Sequence, residues 1–389
     1  MKNKYFKIAQ CFLIMILSFN LYSQANRILN IPGRIQWERN GGYCGETSIQ
    51  MIGLYYGNYI SQDITRKLAG GEFLVGKNDE IAINALSFTY EKWDYNQPIP
   101  QYQNYLIWLK RQLFNYHPVI ITLYIKGMSD PDYDHIVPAI GFSAKDISTF
   151  NNTDELIFND CFTYSFYTRS FQSIWDTRSM NNNGISNTYC IPKNIAFGCS
   201  ITGNKDEKNE TKPVHLTIDQ ANEPDVAKGE SPVLLNATIT IDSLTIGKKY
   251  ALLRYNDYNK VPSSGFNPAE AASAIYFTAS AENQILSDLF MSNNAVFYRC
   301  ISYNFNGIDE LFINENKFNL YPNPANDYLI IESPKNSIIE IINSKGITIK
   351  YITFTNSKNT LDLNEFNSGI YIIKLMSNER VMIKKFIKE

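Results

Sequence analysis

Histidine is scarce in this chain: His117, His135 and His215 are the only three among 389 residues. A metal centre built from several imidazoles has almost nothing to draw on, and proton transfer near neutral pH has three side chains to use at most. Cysteine is sparse too, with six residues, which excludes a disulfide-dense scaffold. No charge sign dominates: 36 Lys and Arg face 38 Asp and Glu, a formal net charge of -2. Without a basic field, no nucleic-acid partner is expected. Past the N-terminal segment no stretch is apolar enough to cross a bilayer, so no stable transmembrane segment is expected. A GxxxxGK[ST] phosphate loop is absent. A zinc site from Cys161, Cys190, Cys199 and a histidine would lack closely spaced cysteine pairs, so neither a metal nor a cofactor is expected. What is abundant is apolar: hydrophobic residues make up 44% and charged residues 19%, the balance of a globular protein. The length allows two or three domains.

Lys2, Lys4 and Lys7 precede an apolar stretch from 8 to 21 that is too short to span a membrane comfortably. Residues 1–24 read as a secretory signal peptide cut near Ser23-Gln24, with an N-terminal anchor as the alternative. Cys11 leaves with that segment. The five remaining cysteines could meet an oxidising compartment, and an odd number leaves at least one thiol over. Cys190 and Cys199, nine apart, are candidates for a hairpin-like bridge; the sequence does not choose among pairings of Cys161, Cys190, Cys199 and Cys300.

Residues 25–203 mix helix and strand. Helical spacing of Ile49, Ile52 and Tyr56 predicts a helix over 45–56, stopped at Gly57. Further helices are predicted after Ser61, over 79–88 and over 102–116, where Leu106, Leu109 and Leu113 share a side. Strand-like runs follow at 119–124, 135–142 and 155–159. Helices followed by strands predict an α+β domain. The polar run GNKDEKNETK then reads as a linker. Residues 204–313 carry short β-prone pieces, with a helix over 282–291, and predict a β-sandwich accessory domain. A polar joint at 314–317 opens the last domain, 314–389. There, alternation and turns at Asn323-Pro324, Lys345-Gly346 and Ser368-Gly369 predict a small sandwich of about seven short strands.

That last stretch carries Leu320-Tyr321-Pro322-Asn323-Pro324, an Ile-rich strand ending at Asn343, Gly346 at a turn, Leu361-Asp362-Leu363, Ser368-Gly369-Ile370-Tyr371 and a terminal Lys384-Lys385-Phe386. In that order these features resemble the C-terminal sorting domain of type IX secretion cargo. The resemblance implies a partner, the type IX machinery, engaged through residues 318–389. It also implies export through the periplasm and outer membrane of a Bacteroidetes-type bacterium, to the surface or the medium.

Cys44 sits in NGGYCGETSIQM where the first helix starts. A helix N-terminus offers free N–H groups and partial positive charge, both favourable to a thiolate. Gly42 and Gly45 would let the backbone approach a substrate closely. A nucleophilic cysteine needs a base with pKa near neutral. His117, at a helix end before Pro118, suits carbonyl capping, and His215 lies past the linker. His135 opens a strand, where its ring can face a cleft while Ile136, Val137 and Ile140 pack. A third group must hold the imidazole. Asp160, at the end of the next strand, is favoured over its neighbour Asn159, which points the other way in a regular strand. Gln36 and the Cys44 N–H could receive an oxyanion. Trp37 could floor or roof the cleft, and Tyr55, Tyr56, Tyr59 and Trp93 are read as packing.

Gln36, the run Tyr43-Cys44-Gly45-Glu46-Thr47-Ser48, His117-Pro118-Val119-Ile120-Ile121, His135-Ile136-Val137 with Gly141-Phe142, and Phe158-Asn159-Asp160 together resemble the papain-like C39-type cysteine peptidases. The resemblance implies an α+β papain-like peptidase domain over 25–203 and a peptide or protein substrate; a monomer is expected. It implies catalytic roles for Cys44, His135, Asp160 and Gln36. Glu46 stands where the family has Pro, and Cys161 follows Asp160 where Pro is usual. A peptidoglycan amidase is disfavoured because Tyr43 precedes Cys44. A leader peptidase fused to an exporter is disfavoured because it would need membrane helices. The competing reading is a non-catalytic secreted or surface binding protein that keeps the fold.

Overall fold

Two segments with almost no polar surface, VIITLYI and HIVPAIGFSA, lie side by side at the centre of the largest sheet. The computed structural model describes residues 25–38, 42–125, 135–163, 165–174, 189–219, 223–304, 318–344, 347–377 and 380–389. The expected signal segment 1–24, the joint 314–317 and the turn at Lys345-Gly346 lie outside the described residues.

The chain divides into two compact units, one with Gln62–Lys205 and the residues up to Tyr55, the other with Tyr56–Ser61 and Asp206–Glu389. In chain order the first part runs β1 (Ala25–Ile28), α1 (Cys44–Tyr55), β2 (Asn58–Ile60), α2 (Gln62–Leu68), α3 (Asp79–Ala85), β3 (Phe88–Lys92) and α4 (Tyr102–Phe114). It continues with β4 (Val119–Ile125), β5 (His135–Ala144), β6 (Glu155–Asp160), β7 (Ser165–Ser170), α5 (Phe171–Ile174), β8 (Tyr189–Cys190) and β9 (Gly198–Asn204). One antiparallel sheet of the first unit follows the order β3-β9-β4-β5-β6-β7, with β1 added on β5 and β8 on β4. The helix α4 buries Leu106, Leu109 and Leu113 in the same core as Val119, Ile121 and Leu123 of β4 and Val137, Phe142 and Phe158 of the neighbouring strands. Each such side chain contributes about 1.5–3 kcal/mol of transfer free energy. Both α1 and α4 pack on β5, the strand that begins with His135. Residues 56–61, expected within the first domain, belong to the second unit. Their strand β2 pairs with a strand near residue 300, and Tyr59 donates its hydroxyl hydrogen bond there, near Glu223 Oε2 (2.5 Å) and the Ser292 carbonyl (2.7 Å).

The second unit is almost all strand: β10 (Thr211–Lys212), β11 (Val214–Ile218), β12 (Leu234–Ile241), β13 (Lys249–Tyr255), β14 (Ser273–Thr278), β15 (Gln284–Met291) and β16 (Ala295–Ser302). These form the sheets β10-β16-β13-β14, with β2 on β16, and β11-β12-β15. The helix expected over 282–291 is the strand β15. Residues Gln284 to Met291 pair along their whole length with β12, and eight rungs of non-local ladder outweigh a short helical pattern. After them come β17 (Asn319–Tyr321), β18 (Tyr328–Glu332), β19 (Ser337–Asn343), β20 (Thr348–Phe354), β21 (Lys358–Asp362), β22 (Gly369–Ser377) and β23 (Arg380–Lys388). They make the sheets β17-β18-β21 and β20-β19-β22-β23 around Leu329, Ile331, Ile339, Ile341, Leu361, Ile373 and Phe386. Across both units the described chain is mainly sheet with few helices.

The expected bridge between Cys190 and Cys199 is not formed; Cys44, Cys161, Cys190, Cys199 and Cys300 are all free thiols. Register is the reason. Cys199 lies opposite Ile120 and Cys190 opposite Tyr124 on the same strand β4. Four residues of strand separate them by about 13 Å, twice the reach of a disulfide.

A charged side chain braces this core. Lys110, on the buried side of α4, donates to Asp154 Oδ2 (2.5 Å) and to the carbonyls of Asp146 (2.7 Å) and Thr149 (2.5 Å). That pins the connection between β5 and β6. Lys110→Ala strands a buried carboxylate and is expected to cost about 3–5 kcal/mol. Trp37, Trp93 and Trp108 fall in the first unit, so urea unfolding followed by tryptophan fluorescence reports that loss directly.

Candidate functional site

The loop before α1 is built to be rigid. Gly42 has φ +87°, and a Cβ there would lie 2.9 Å from Gln36 Nε2, so the carboxamide of Gln36 rests against this turn. At Gly45 a Cβ would fall 2.2 Å from the Phe73 ring. The close approach that demands glycine is therefore to Phe73, where the sequence pointed to a substrate. Thr47 N–H and its hydroxyl both donate to the Tyr43 carbonyl, the hydroxyl at 2.7 Å. Gln62 accepts at Oε1 from Trp37 N–H (3.0 Å) and donates from Nε2 to the Ile35 carbonyl (3.0 Å), stitching the strand-like segment beside Gln36 to the helix. Trp37 is buried and meets Tyr43 edge-on, so it packs and does not line a cleft.

Glu46, the residue in place of the family's proline, is buried and paired with Arg66. The same guanidinium donates to the Gly42 carbonyl and lies 3.7 Å over the Tyr43 ring. Burial raises the Glu46 carboxyl, and Arg66 works against that rise. The pair clamps the two ends of the Gly42–Glu46 turn around Cys44.

Cys44 is half-buried at the first position of α1. Its thiol is pushed up to about 11, first by burial, with the Glu46 charge adding; hydrogen bonds from the backbone of Ile136, Gly45 and Cys44 pull the other way without winning. The helix N-terminus thus does not give the low thiol pKa expected from position alone. Ile136 follows His135 directly, so the sulfur lies beside the start of β5. Among the described residues no hydrogen bond joins Cys44 Sγ to the His135 ring.

His135 is buried, with Nε2 3.1 Å from Asp160 Oδ1. Phe162 stacks on the imidazole at 4.2 Å and Tyr189 at 5.5 Å. Asp160 also accepts from the Phe162 N–H (2.9 Å), the Thr163 hydroxyl (3.2 Å) and the Tyr189 hydroxyl (3.1 Å). Burial alone would raise this carboxyl; the bond from His135 and the other donors outweigh it and hold it below the usual range. An ionised Asp160 assigns the proton to Nε2, leaving Nδ1 as the basic nitrogen, buried and without a partner. Asn159 turns away and donates to the Ile31 carbonyl (3.1 Å). His117 sits against Gln112 Oε1 at 3.2 Å, away from this cluster, and burial lowers it.

Two neighbours were not legible in the sequence. Tyr189 is 29 residues from Asp160, and only the pairing of β8 with β4 brings it here. Cys161, read as a structural thiol, donates to Gln36 Oε1 at 3.1 Å and lies 3.7 Å from His135 Nε2. Its position directly after Asp160 was the available signal. Gln36 N–H in turn donates to the Cys161 carbonyl. The cluster therefore joins Gln36, His135, Asp160 and Cys161, with Cys44 at the adjoining helix start.

Residues 319–389 match the Secretion system C-terminal sorting domain family. The tail engages the type IX secretion machinery, and the chain is exported to the cell surface or the medium in Bacteroidetes. No curated protein matches the chain. Among solved structures, PorZ, described as an essential bacterial surface component of the type IX secretion system of Porphyromonas gingivalis, is 8% identical, with 64% of this chain and 37% of that chain covered and a TM-score of 0.18. The adhesin domain of Epf from Streptococcus pyogenes is 9% identical over 46% of this chain and 76% of that one, with a TM-score of 0.15. Scores this low carry no argument about fold or activity. No helix among the described residues is long and apolar enough to cross a membrane.

Two outcomes follow from this geometry. With its thiol near 11, Cys44 is almost wholly protonated at neutral pH. In His135→Ala, where no imidazole assists, its alkylation by iodoacetamide, read by mass spectrometry, should climb about tenfold per pH unit from about pH 7 to 10; the same climb in wild type would show that His135 gives the thiol no help. Glu46→Ala leaves Arg66 without its carboxylate and should cost about 3 kcal/mol in the same fluorescence-monitored unfolding.

Proposed function

We propose that the first unit is a secreted cysteine peptidase with a papain-like α+β arrangement, carried to its destination by the sorting tail. The observation that carries the reading is the buried His135–Asp160 pair, which leaves Nδ1 basic and unpartnered next to the strand residue whose backbone holds the Cys44 sulfur. A helix that starts at the thiol and packs on the strand that starts at the imidazole supports it further.

In this reading Cys44 Sγ attacks the carbonyl carbon of a peptide as its proton passes to His135 Nδ1. A raised thiol pKa makes that transfer part of the attack rather than a step before it. The oxyanion receives the Cys44 N–H and the Gln36 carboxamide. The intermediate collapses, the amine leaves with the proton from Nδ1, and water hydrolyses the thioester with His135 again as base. Asp160 holds the ring through Nε2 and offsets the imidazolium charge. Tyr189 and Thr163 fix the carboxylate in turn.

The second reading is a secreted binding protein without catalysis. The observation that favours it is the elevated Cys44 thiol, which among the described residues has no hydrogen bond to the His135 ring.

Peptide hydrolysis by the purified exported chain separates the two. Cys44→Ala should abolish turnover, and His135→Ala should lower kcat/KM by about 10²–10⁴-fold. Gln36→Ala should lower it by roughly 10²–10³-fold. An epoxide thiol probe should label wild type at Cys44 and label His135→Ala far less. Equal labelling of both, with no hydrolysis of a broad peptide library, would leave the binding-protein reading standing.

A further inference from the structure

Cys161 takes no part in the proposed hydrolysis, yet its thiol lies inside the same buried cluster. Sγ is 3.7 Å from His135 Nε2, and that nitrogen is 3.1 Å from Asp160 Oδ1. One ligand atom from each of the three residues lies within 4.8 Å of the other two, and all three residues are buried. Ordinary bonds to a tetrahedral zinc place nitrogen and sulfur about 3.6 Å apart and nitrogen and oxygen about 3.4 Å apart. Both observed separations fall close to those values; the sulfur–oxygen separation, within 4.8 Å, has to close toward about 3.6 Å for the three atoms to share a cation. The set that the sequence ruled out drew on Cys190 and Cys199, and neither belongs to this cluster.

We infer that His135, Asp160 and Cys161 form a site for a soft divalent cation of the zinc type, with a fourth position for water. An imidazole, a thiolate and one carboxylate select zinc or cobalt over magnesium or calcium. On binding, the metal takes the place of the Nε2 proton, which moves to Nδ1, and the Cys161 thiol proton is released to solvent. The cation, one carboxylate and one thiolate then sum to zero charge, which suits a buried site. The site stands on this geometry alone. Its meaning for regulation rests on the peptidase reading: with Nδ1 protonated and Nε2 on the metal, His135 cannot accept the Cys44 proton, so zinc holds the enzyme off.

Cobalt titration of the reduced, purified chain tests the site through the thiolate-to-cobalt charge-transfer absorption, with zinc as competitor. Metal is added both to the folded protein and during refolding, so that a closed route inward does not mimic the lack of a site. One equivalent of cobalt with the band present is expected in wild type and in Cys44→Ser. In Cys161→Ser, checked for folding by tryptophan fluorescence, the band should vanish and zinc binding should weaken by roughly tenfold or more. A band that survives in Cys161→Ser, or its absence in wild type under both loading conditions, overturns the site. Hydrolysis is read separately on chelator-treated chain. Metal binding without any hydrolysis sinks the peptidase reading and leaves the cation site; hydrolysis without a cobalt band does the reverse.

Discussion

The hydrogen bond between His135 and Asp160 exists because β5 and β6 run antiparallel in one particular register. Ala139 lies opposite Phe158, which sets the start of β5 beside the residues just past β6. His135 then meets Phe162 face to face and Asp160 at Nε2. A slip of one residue would exchange Asp160 for Asn159, because successive side chains point to opposite faces. The core under the sheet resists that slip. Val137, Phe142 and Phe158 are fully buried in it, and moving them to the other face would cost several kcal/mol.

The rest of the site is arranged around that pair by devices that fix backbone more than side chains. Lys110 gathers the connection between β5 and β6. Arg66 gathers the turn before α1 through Glu46, Gly42 and Tyr43. Gln62, the first residue of α2, ties the segment carrying Gln36 to that helix. Each is a buried or half-buried polar group with several partners, the arrangement in which removal costs most. The consequence is electrostatic as well as structural. The burial that immobilises Cys44 also raises its thiol, so its chemistry depends on a base close at hand and not on the helix end alone.

Much of this was legible along the chain. Helical spacing located α1, α2 and α4, and strand patterns located β4, β5 and β6, because those segments pack as their local preferences dictate. Seven short strands in the tail were legible from alternation and turn residues. The strand Gln284–Met291 was not, because its pattern permits a helix and only pairing with β12 excludes one. Tyr189 and Cys161 were missed as site neighbours for a related reason. Nothing local marks a residue that a distant strand pairing delivers to a histidine.

By itself the sequence determined the short inventory: one cysteine at a helix start, one histidine opening a strand, an acid at the end of the next, and a tail with export features. Those follow from composition and short-range pattern, which no packing can alter. Only the tertiary structure decided that Asp160 and not Asn159 holds the ring, that the five described cysteines stay unbridged, and that Cys161 joins the imidazole. It also decided that the Cys44 thiol is raised. These depend on strand register and on the exclusion of water, which arise only when residues far apart in the chain are packed together.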